Sequence, residues 1–140
     1  MEELINQSRH REEMFFVSSE SEVMTVVMAA FVLAKGIGFS SVEVNEISTS
    51  VSELAMNIVK YAKSGNVFLH QMVTSNKKGL EIRAEDQGKG IDDIEKALRD
   101  CESTSGTLGL GLPGVKRMMD EFHIESSPAG TQVVVRKWVA

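Results

Sequence analysis

Cysteine, proline and aromatic residues are all scarce in this sequence of 140 residues. The single cysteine, Cys101, excludes an internal disulfide framework and is typical of a reducing compartment. Only two prolines are present, and neither marks a domain boundary. A chain of this length can bury a real hydrophobic core. We expect a polar N-terminal segment over residues 1–11 and a single domain over residues 12–140.

Long hydrophobic runs and an excess of positive charge are also missing. The longest apolar run, residues 23–34, is too short to cross a bilayer, and the polar N-terminus has no signal-peptide pattern. The formal net charge of -5 and the pI near 5.2 count against nucleic-acid binding, which usually needs a basic face. The sequence therefore predicts a cytoplasmic protein with no nucleic-acid or membrane partner.

Hydrophobic spacing, capping residues and turn residues predict strands and helices along the whole domain. Ser21 is expected to cap a first helix, and Ser40 with Glu43 forms a capping-box pattern that opens a long second helix. The predicted strands cover residues 14–18, 66–74, 80–85, 123–127 and 131–139, and the predicted helices cover 21–34, 40–62, 92–100 and 111–122. This order does not alternate as in a doubly wound sheet. It predicts an α+β fold, a two-layer α/β sandwich with the sheet covered on one face by helices.

A glycine-rich segment, STSGTLGLGLPGVKR at residues 103–117, contains the spacing Gly109-x-Gly111-x-x-Gly114. The spacing fits the dinucleotide fingerprint, but no strand precedes it and no acidic residue follows at about 20 positions, as that fingerprint requires. It also fits the first half of a P-loop, but the required Lys and Ser or Thr do not follow the last glycine. Glycines that open a helix from a loop therefore need another explanation.

Two further polar patterns accompany the glycine-rich segment. On the long predicted helix, Glu53 and Asn57 are one turn apart and point the same way, as the residues of a solvated helix face also do. At residues 84–91, AEDQGKGI, a predicted strand ends at Asp86 and turns through two glycines. Each pattern alone is common, so only their order along the chain carries information.

That ordered set resembles the Bergerat ATP-binding fold of the GHKL group, and within it the small bacterial serine/threonine switch kinases of the RsbT type. The resemblance rests on SELAMNIVKYA (52–62), AEDQGKGI (84–91), STSGTLGLGLPGVKRMMDEF (103–122) and the final Gly130-Thr131. It covers nearly the whole chain from about residue 12. It implies a mixed sheet and a protein kinase that uses ATP and Mg²⁺.

The resemblance also implies roles at the nucleotide. Asp86 would accept a hydrogen bond from the exocyclic amine of adenine, and Thr131 would support that site. Gly88 and Gly90 would let the backbone approach the purine closely. Asn57 would hold Mg²⁺ through its amide oxygen, which is a hard ligand.

At the phosphates, the resemblance implies a general base and a lid. Glu53 would take the proton from the acceptor serine or threonine as the γ-phosphate moves across. The backbone of the glycine-rich segment would cover the triphosphate, with the following helix presenting its positive end to it. The lid residues are Thr107, Leu108, Gly109, Leu110 and Gly111.

Two positions depart from the pattern of the group. Tyr61 stands where many GHKL proteins have histidine, and we expect it to have an aromatic core role. Thr107 stands where related kinases that sequester sigma factors often have an arginine for the γ-phosphate. Lys60, Lys89 or Lys116 could replace that charge, although each also fits a solvated surface lysine.

The resemblance implies STAS-domain regulators as phosphoacceptors and a metal-dependent PPM-type phosphatase that the released kinase activates. An anti-sigma factor that binds a sigma factor and phosphorylates its STAS-domain antagonist is the alternative. An ATP-sensing module without catalysis is a third, less compatible with intact Glu53 and Asn57. The oligomeric state stays open.

Overall fold

Five strands and four helices make up most of the chain that the structure describes. The structure, a computed structural model, describes residues 12–99 and 111–140. The strands are β1 (Glu13–Val17), β2 (Gly65–Val73), β3 (Lys78–Asp86), β4 (Glu121–Ser127) and β5 (Gly130–Trp138). The helices are α1 (Glu20–Ile37), α2 (Ser41–Ala62), α3 (Ile94–Arg99) and α4 (Leu112–Met118). The predicted order of elements is confirmed for these residues.

The strands form one sheet in the order β1-β2-β3-β5-β4. Every pairing in this sheet is antiparallel, so the expectation of a mixed sheet is wrong. The direction of β4 matches that of β3, but β5 lies between them and pairs antiparallel with both. The β4–β5 hairpin produces this arrangement because it folds its second strand inward, next to β3. The predicted α+β class is confirmed.

The helices cover one face of the sheet, as the sequence predicted. Side chains alternate along β2, β3 and β5, and one set is buried under the helices. The buried set consists of Val67, Leu69, Leu80, Ile82, Ala84, Val133 and Val135. Helix α2 packs on the core with Ile47, Val51, Leu54 and Ile58, which recur at helical spacing. The opposite face of the sheet carries cross-strand ion pairs such as that of Arg136 with Glu81 at 2.8 Å.

The capping box of α2 is confirmed. The backbone N–H of Ser40 donates to Oε1 of Glu43 at 2.9 Å, and the N–H of Glu43 donates to Oγ of Ser40 at 3.2 Å. These two bonds satisfy donors that the first helical turn leaves unpaired. They fix where the long helix begins.

Helix α1 is longer than predicted at both ends. It is capped by Ser19 rather than Ser21, since Oγ of Ser19 accepts the N–H of Glu22 at 3.4 Å. At the other end the helix continues through Gly36 and stops at Gly38, whose left-handed backbone has φ 115°. The helix is therefore bounded by Ser19 and Gly38, and not by Ser21 and Gly36.

Helix α4 is shorter than predicted. It ends at Met118, whereas the periodic pattern extended it to Phe122. The N–H of Asp120 donates to the carbonyl of Arg136 at 2.9 Å, and Phe122 pairs with Val135 across the sheet. From Asp120 onward the chain therefore pairs with β5, although its hydrophobic periodicity predicts that these residues continue the helix. Residues 101–110, between the predicted helices 92–100 and 111–122, and the predicted end of α3 at residue 100 lie outside the described residues.

Candidate active site

A cavity of about 420 Å³ lies between α2, α3, the start of α4 and the ends of β3 and β5. Its apolar walls are Leu54, Ile58, Ala84, Leu112 and Val133. Its polar and charged lining includes Asn57, Asp86, Lys89, Lys96 and Thr131. Apolar walls with a few convergent polar groups are typical of a small-molecule site. The sequence-predicted site residues that line it are Asn57, Asp86, Gly90 and Thr131.

Asp86, the last residue of β3, is held in place from several directions. Its Oδ1 accepts the backbone N–H of Gly88 at 2.8 Å, which fixes the carboxylate in a side-chain-to-backbone turn. Its backbone pairs with Gly65 of β2 and with Thr131 of β5. Within the described residues Oδ2 makes no hydrogen bond. One carboxylate oxygen is therefore left as an acceptor for a ligand in the cavity that Asp86 lines.

A hydrogen-bonded group next to Asp86 includes a residue that the sequence did not indicate. Oγ of Ser126 lies 2.7 Å from Oγ1 of Thr131 and accepts the backbone N–H of Ile91 at 2.8 Å. Ser126 thereby connects the β4–β5 hairpin to the loop after β3. Its position opposite Thr131 in the hairpin register is the signal that would have pointed to it.

The two glycines after Asp86 are explained by contacts within the protein. A Cβ added to Gly88 would lie 2.8 Å from Cβ of Ala62, so the loop packs directly on the end of α2. Gly90 has φ 85°, and an added Cβ would lie 2.9 Å from the carbonyl carbon of Ser127. Both positions need glycine for packing. The close approach to a purine that the resemblance implies for them stays a prediction.

Glu53 and Asn57 lie one turn apart on α2, and both side chains are half-buried. The residue after each of them, Leu54 and Ile58, is buried in the core. Since the core fixes the helix at these residues, Glu53 and Asn57 extend from a rigid base. Asn57 lines the cavity, but Glu53 is not among the described residues that line it.

The carboxylate of Glu53 instead lies against Gly111, the residue that precedes α4. A Cβ added to Gly111 would lie 2.7 Å from Cδ of Glu53 and 3.2 Å from its Cγ. The next residue, Leu112, lines the cavity. Glu53 is thus adjacent to the cavity at the point where α4 begins. The other predicted lid residues, Thr107, Leu108, Gly109 and Leu110, lie outside the described residues.

The expected core role of Tyr61 is wrong. Its side chain is 42% exposed and lines the cavity. It lies in the last turn of α2, where the helix passes beyond the edge of the core. The helical pattern alone does not show where the sheet stops supporting that face.

The lysines around the cavity differ from one another. Lys89 and Lys96 line it, whereas Lys60 and Lys116 are exposed and are not among its lining residues. Lys96, on α3, was not indicated by the sequence. Only the packing of α3 brings it to the cavity.

A larger, polar hollow of about 640 Å³ lies on the other side of Asp86. Asn66, Glu85, Glu125 and Gln132 contribute to its walls, and the side-chain amide of Gln132 donates to Glu85 at 2.5 Å. Its polar groups are therefore partly satisfied by one another. We place the candidate active site in the smaller cavity because its lining is mainly apolar and includes Asn57, whereas the larger hollow is lined mainly by polar residues.

The family profile described as the histidine kinase-like ATPase domain matches residues 16–137. The chain belongs to this family. The matched residues include everything from α1 to β4, all of β5 except Trp138, and the last two residues of β1. The GHKL resemblance is thereby confirmed.

Curated relatives share most of this domain. The chain is 51% identical over 108 residues to the serine/threonine-protein kinase RsbT of Bacillus subtilis (strain 168), covering 76% of this chain and 81% of that protein. It is 34% identical over 128 residues to the anti-sigma F factor of Caldanaerobacter subterraneus subsp. tengcongensis, covering 86% of each. The family match and the RsbT match confirm the prediction of an RsbT-type serine/threonine kinase of the GHKL group.

A solved structure supports the fold alone. The RsbU and RsbW domains of Rv1364c from Mycobacterium tuberculosis align with a TM-score of 0.60 and 14% identity, over 89% of this chain and 32% of that chain. The chain therefore corresponds to about a third of that structure. None of the helices within residues 12–99 and 111–140 is long and apolar enough to span a membrane.

Proposed function

We propose that this kinase transfers the γ-phosphoryl group of Mg-ATP to a serine or threonine of STAS-domain regulators and, when released, activates a PPM-type phosphatase. The observation that carries the proposal is the convergence of Asn57 and Asp86 on one cavity, with Glu53 one helical turn from Asn57. These groups come from α2 and β3, which the core holds rigidly together.

The cavity fits the adenine part of ATP. A volume of about 420 Å³ is within the usual range of small-molecule sites. Its apolar walls suit a flat ring, and Asp86 offers one carboxylate oxygen that makes no hydrogen bond within residues 12–99 and 111–140. That oxygen accepts a hydrogen bond, so it suits the exocyclic amine of adenine and disfavours the oxygen that guanine presents at the same edge.

The other end of the cavity fits phosphates and their metal ion. Asn57 offers an amide oxygen, the kind of hard ligand that Mg²⁺ accepts. Among the described lining residues, the ammonium groups that could meet the phosphates are those of Lys89 and Lys96, which share the lining with Asp92 and Asp93. Bound Mg-ATP would supply the transferable phosphoryl group and the neutralisation of its charge. The proposed lid over the phosphates consists of Thr107, Leu108, Gly109, Leu110 and Gly111.

Glu53 is the proposed general base. Its carboxylate accepts the proton of the acceptor hydroxyl, so that the hydroxyl oxygen becomes a better nucleophile. Positioned base catalysis contributes about 10²- to 10⁴-fold. The backbone of α2 holds Glu53 one helical turn from Asn57, and this spacing supports a base close to the proposed metal ligand.

Transfer of label from γ-labelled ATP to purified STAS-domain proteins tests the proposal. We expect label on a serine or threonine of at least one of them, dependent on Mg²⁺ and lost with Glu53→Gln. Addition of a PPM-type phosphatase to the released kinase should raise phosphatase activity. Nucleotide binding without transfer to any STAS-domain protein would contradict the kinase proposal and favour an ATP-sensing module.

An anti-sigma factor is the second candidate, because the anti-sigma F factor match covers 86% of this chain. Thr107 stands where such kinases often have an arginine, which favours the first candidate. Stable capture of a sigma factor, measured by gel filtration of the mixed proteins, would support the second.

A further inference from the structure

Gly111 joins the glycine-rich segment to α4 and stands in contact with the carboxylate of Glu53. We infer that Gly111 is a positioning residue for Glu53, and this inference rests on the proposed role of Glu53 as the base. The absence of a side chain at Gly111 leaves the space in which the carboxylate lies. The backbone of Gly111 forms one wall of that space.

Gly111 is held in place by helix α4. Its carbonyl accepts the N–H of Val115 at 3.1 Å, the first hydrogen bond of α4. Leu112 and Val115 are buried, which binds the start of the helix to the core. At the far end, Nζ of Lys137 donates to the carbonyl of Met118 at 2.6 Å. The same ammonium group lies 3.5 Å from Glu46 of α2. Both ends of α4 are therefore attached to the rest of the domain.

Glu53 is equally constrained at its backbone. The residues that follow it, Leu54 and Ala55, are at most 2% exposed. Only side-chain torsions can therefore move the carboxylate. With α2 and α4 both fixed, an added methyl group at Gly111 has to displace the carboxylate, because the long side chain of Glu53 yields more easily than either helix.

Two properties make glycine necessary at position 111, and they can be separated. The backbone is left-handed, with φ 67° and ψ 6°, which disfavours any residue with a Cβ. The second property is the contact with Glu53. Gly38 supplies the matched control, because it has φ 115° and nothing within 4 Å of an added Cβ. Gly38→Ala therefore carries the backbone penalty without the contact.

The experiment measures transfer of label to a STAS-domain acceptor and binding of Mg-ADP by calorimetry. For Gly111→Ala we expect the rate at saturating ATP to fall about 10- to 100-fold, the cost of displacing a reacting group by about 1 Å. The affinity for Mg-ADP should change less than about threefold, because an interaction made only in the transition state affects kcat. Gly38→Ala should lower the melting temperature and leave both quantities unchanged.

A double-mutant cycle with Glu53→Asp separates the two explanations. If Gly111 had a purely structural role, the effect of Gly111→Ala on the transfer rate would be the same with Glu53 or Asp at position 53. Aspartate is shorter by one carbon–carbon bond, about 1.5 Å, so its carboxylate withdraws from position 111. Adding Gly111→Ala to Glu53→Asp should therefore cost much less than adding it to the unmodified chain. Additive effects on the rate would overturn the inference, as would equal losses of rate and affinity.

If Gly111→Ala does not fold, Gly111→Asn takes its place in the experiment. Asparagine adopts the left-handed region more readily than alanine and still carries a Cβ. The same rate loss is expected, and an unchanged rate would overturn the inference. The proposed function has a test of its own: it is contradicted if Glu53→Gln transfers phosphate at the normal rate. If Glu53→Gln is inactive and Gly111→Ala is normal, only the positioning role is wrong.

Discussion

The Asp86 end of the site (Asp86 and Thr131, which line the cavity, with Gly88 and Ser126 beside them) is held by strand pairing and short hydrogen bonds. The Glu53 end of the site (Asn57, which lines the cavity, with Glu53 and Gly111 next to it) is instead built on two helices. At the Asp86 end, Asp86 and Thr131 pair across the sheet, and each side chain makes a hydrogen bond as well. At the Glu53 end, the helices fix the backbone, and within the described residues the carboxylate of Glu53 lies against Gly111. Changes at the first end should therefore affect affinity and stability, and changes at the second should affect rate.

The largest expected effect is at the Glu53 end. Glu53→Gln keeps the shape of the side chain but removes its capacity to accept a proton. Transfer should fall about 10²- to 10⁴-fold, with Mg-ADP affinity nearly unchanged. Single-turnover transfer and calorimetry measure the two quantities. Glu13→Gln is the matched control, because Glu13 is exposed on β1 and should leave both unchanged. If Glu53→Gln lowered the affinity for Mg-ADP as well as the transfer rate, the distinction between an end that sets affinity and an end that sets rate would be wrong.

Asp86→Asn tests the opposite end. Asparagine keeps an oxygen for the N–H of Gly88, but it replaces the second oxygen by an NH₂ donor, which faces the amine of adenine. The affinity for ATP should fall about 10- to 100-fold, the cost of losing a hydrogen bond to a charged group. Calorimetry measures the affinity.

The thermal stability of Asp86→Asn should stay close to that of the unmodified chain, because the bond to Gly88 is kept. This separates a binding defect from a folding defect. Unchanged ATP affinity would contradict the role of Asp86 at the purine.

Ser126→Ala should have a smaller effect, mainly on stability. It removes the 2.7 Å contact with Thr131 and leaves the N–H of Ile91 without its acceptor. We expect a loss of about 1 kcal/mol in the free energy of unfolding. Chemical denaturation measures it, with Ser75→Ala in the exposed β2–β3 turn as control. Equal stabilities for the two variants would show that the network at the Asp86 end does not hold the loop.

The smallest effect is expected far from both ends. Nε1 of Trp138 donates to Glu121 at 2.7 Å, and this hydrogen bond lowers the pKa of Glu121 below its usual 4.5, with Arg136 adding to the effect. Because the pKa of Glu121 is lower in the folded than in the unfolded chain, ionised Glu121 stabilises the fold at pH values above its pKa in the unfolded chain. This stabilisation is lost as pH falls through the folded-state pKa.

Trp138→Phe should therefore cost a few tenths of a kcal/mol more at neutral pH than in acid, as for other exposed ionised groups. Denaturation at pH 7 and below the pKa of Glu121 measures the difference. Transfer and nucleotide affinity should not change. A cost that is independent of pH would mean that the bond to Glu121 does not contribute.

Some features of the site were predictable because they depend on local spacing. Glu53 and Asn57 share one face of α2 for the same reason that Ser40 and Glu43 form its cap, since the helical period relates residues a few positions apart. Asp86 was placed at a strand end by its hydrophobic neighbours and the glycines that follow.

Other features could not be read from local spacing. Tyr61 lines the cavity and is 42% exposed, although helical spacing places it on the same helix as the buried Leu54 and Ile58. The end of α4 at Met118 was set by pairing with β5, which competes with helical periodicity for the same residues. Lys96 reaches the cavity only through the packing of α3.

By itself, the sequence determined the order of elements, the capping of α2 and the spacing of Glu53 and Asn57, because each depends on neighbours along the chain. It also indicated the GHKL group, because the order of the motifs is a property of the sequence. The tertiary structure alone decided that the sheet is antiparallel throughout, that Ser126 supports Thr131, and that Gly111 meets the carboxylate of Glu53. Those contacts join distant segments, and their geometry exists only after the shared core has fixed the helices on the sheet.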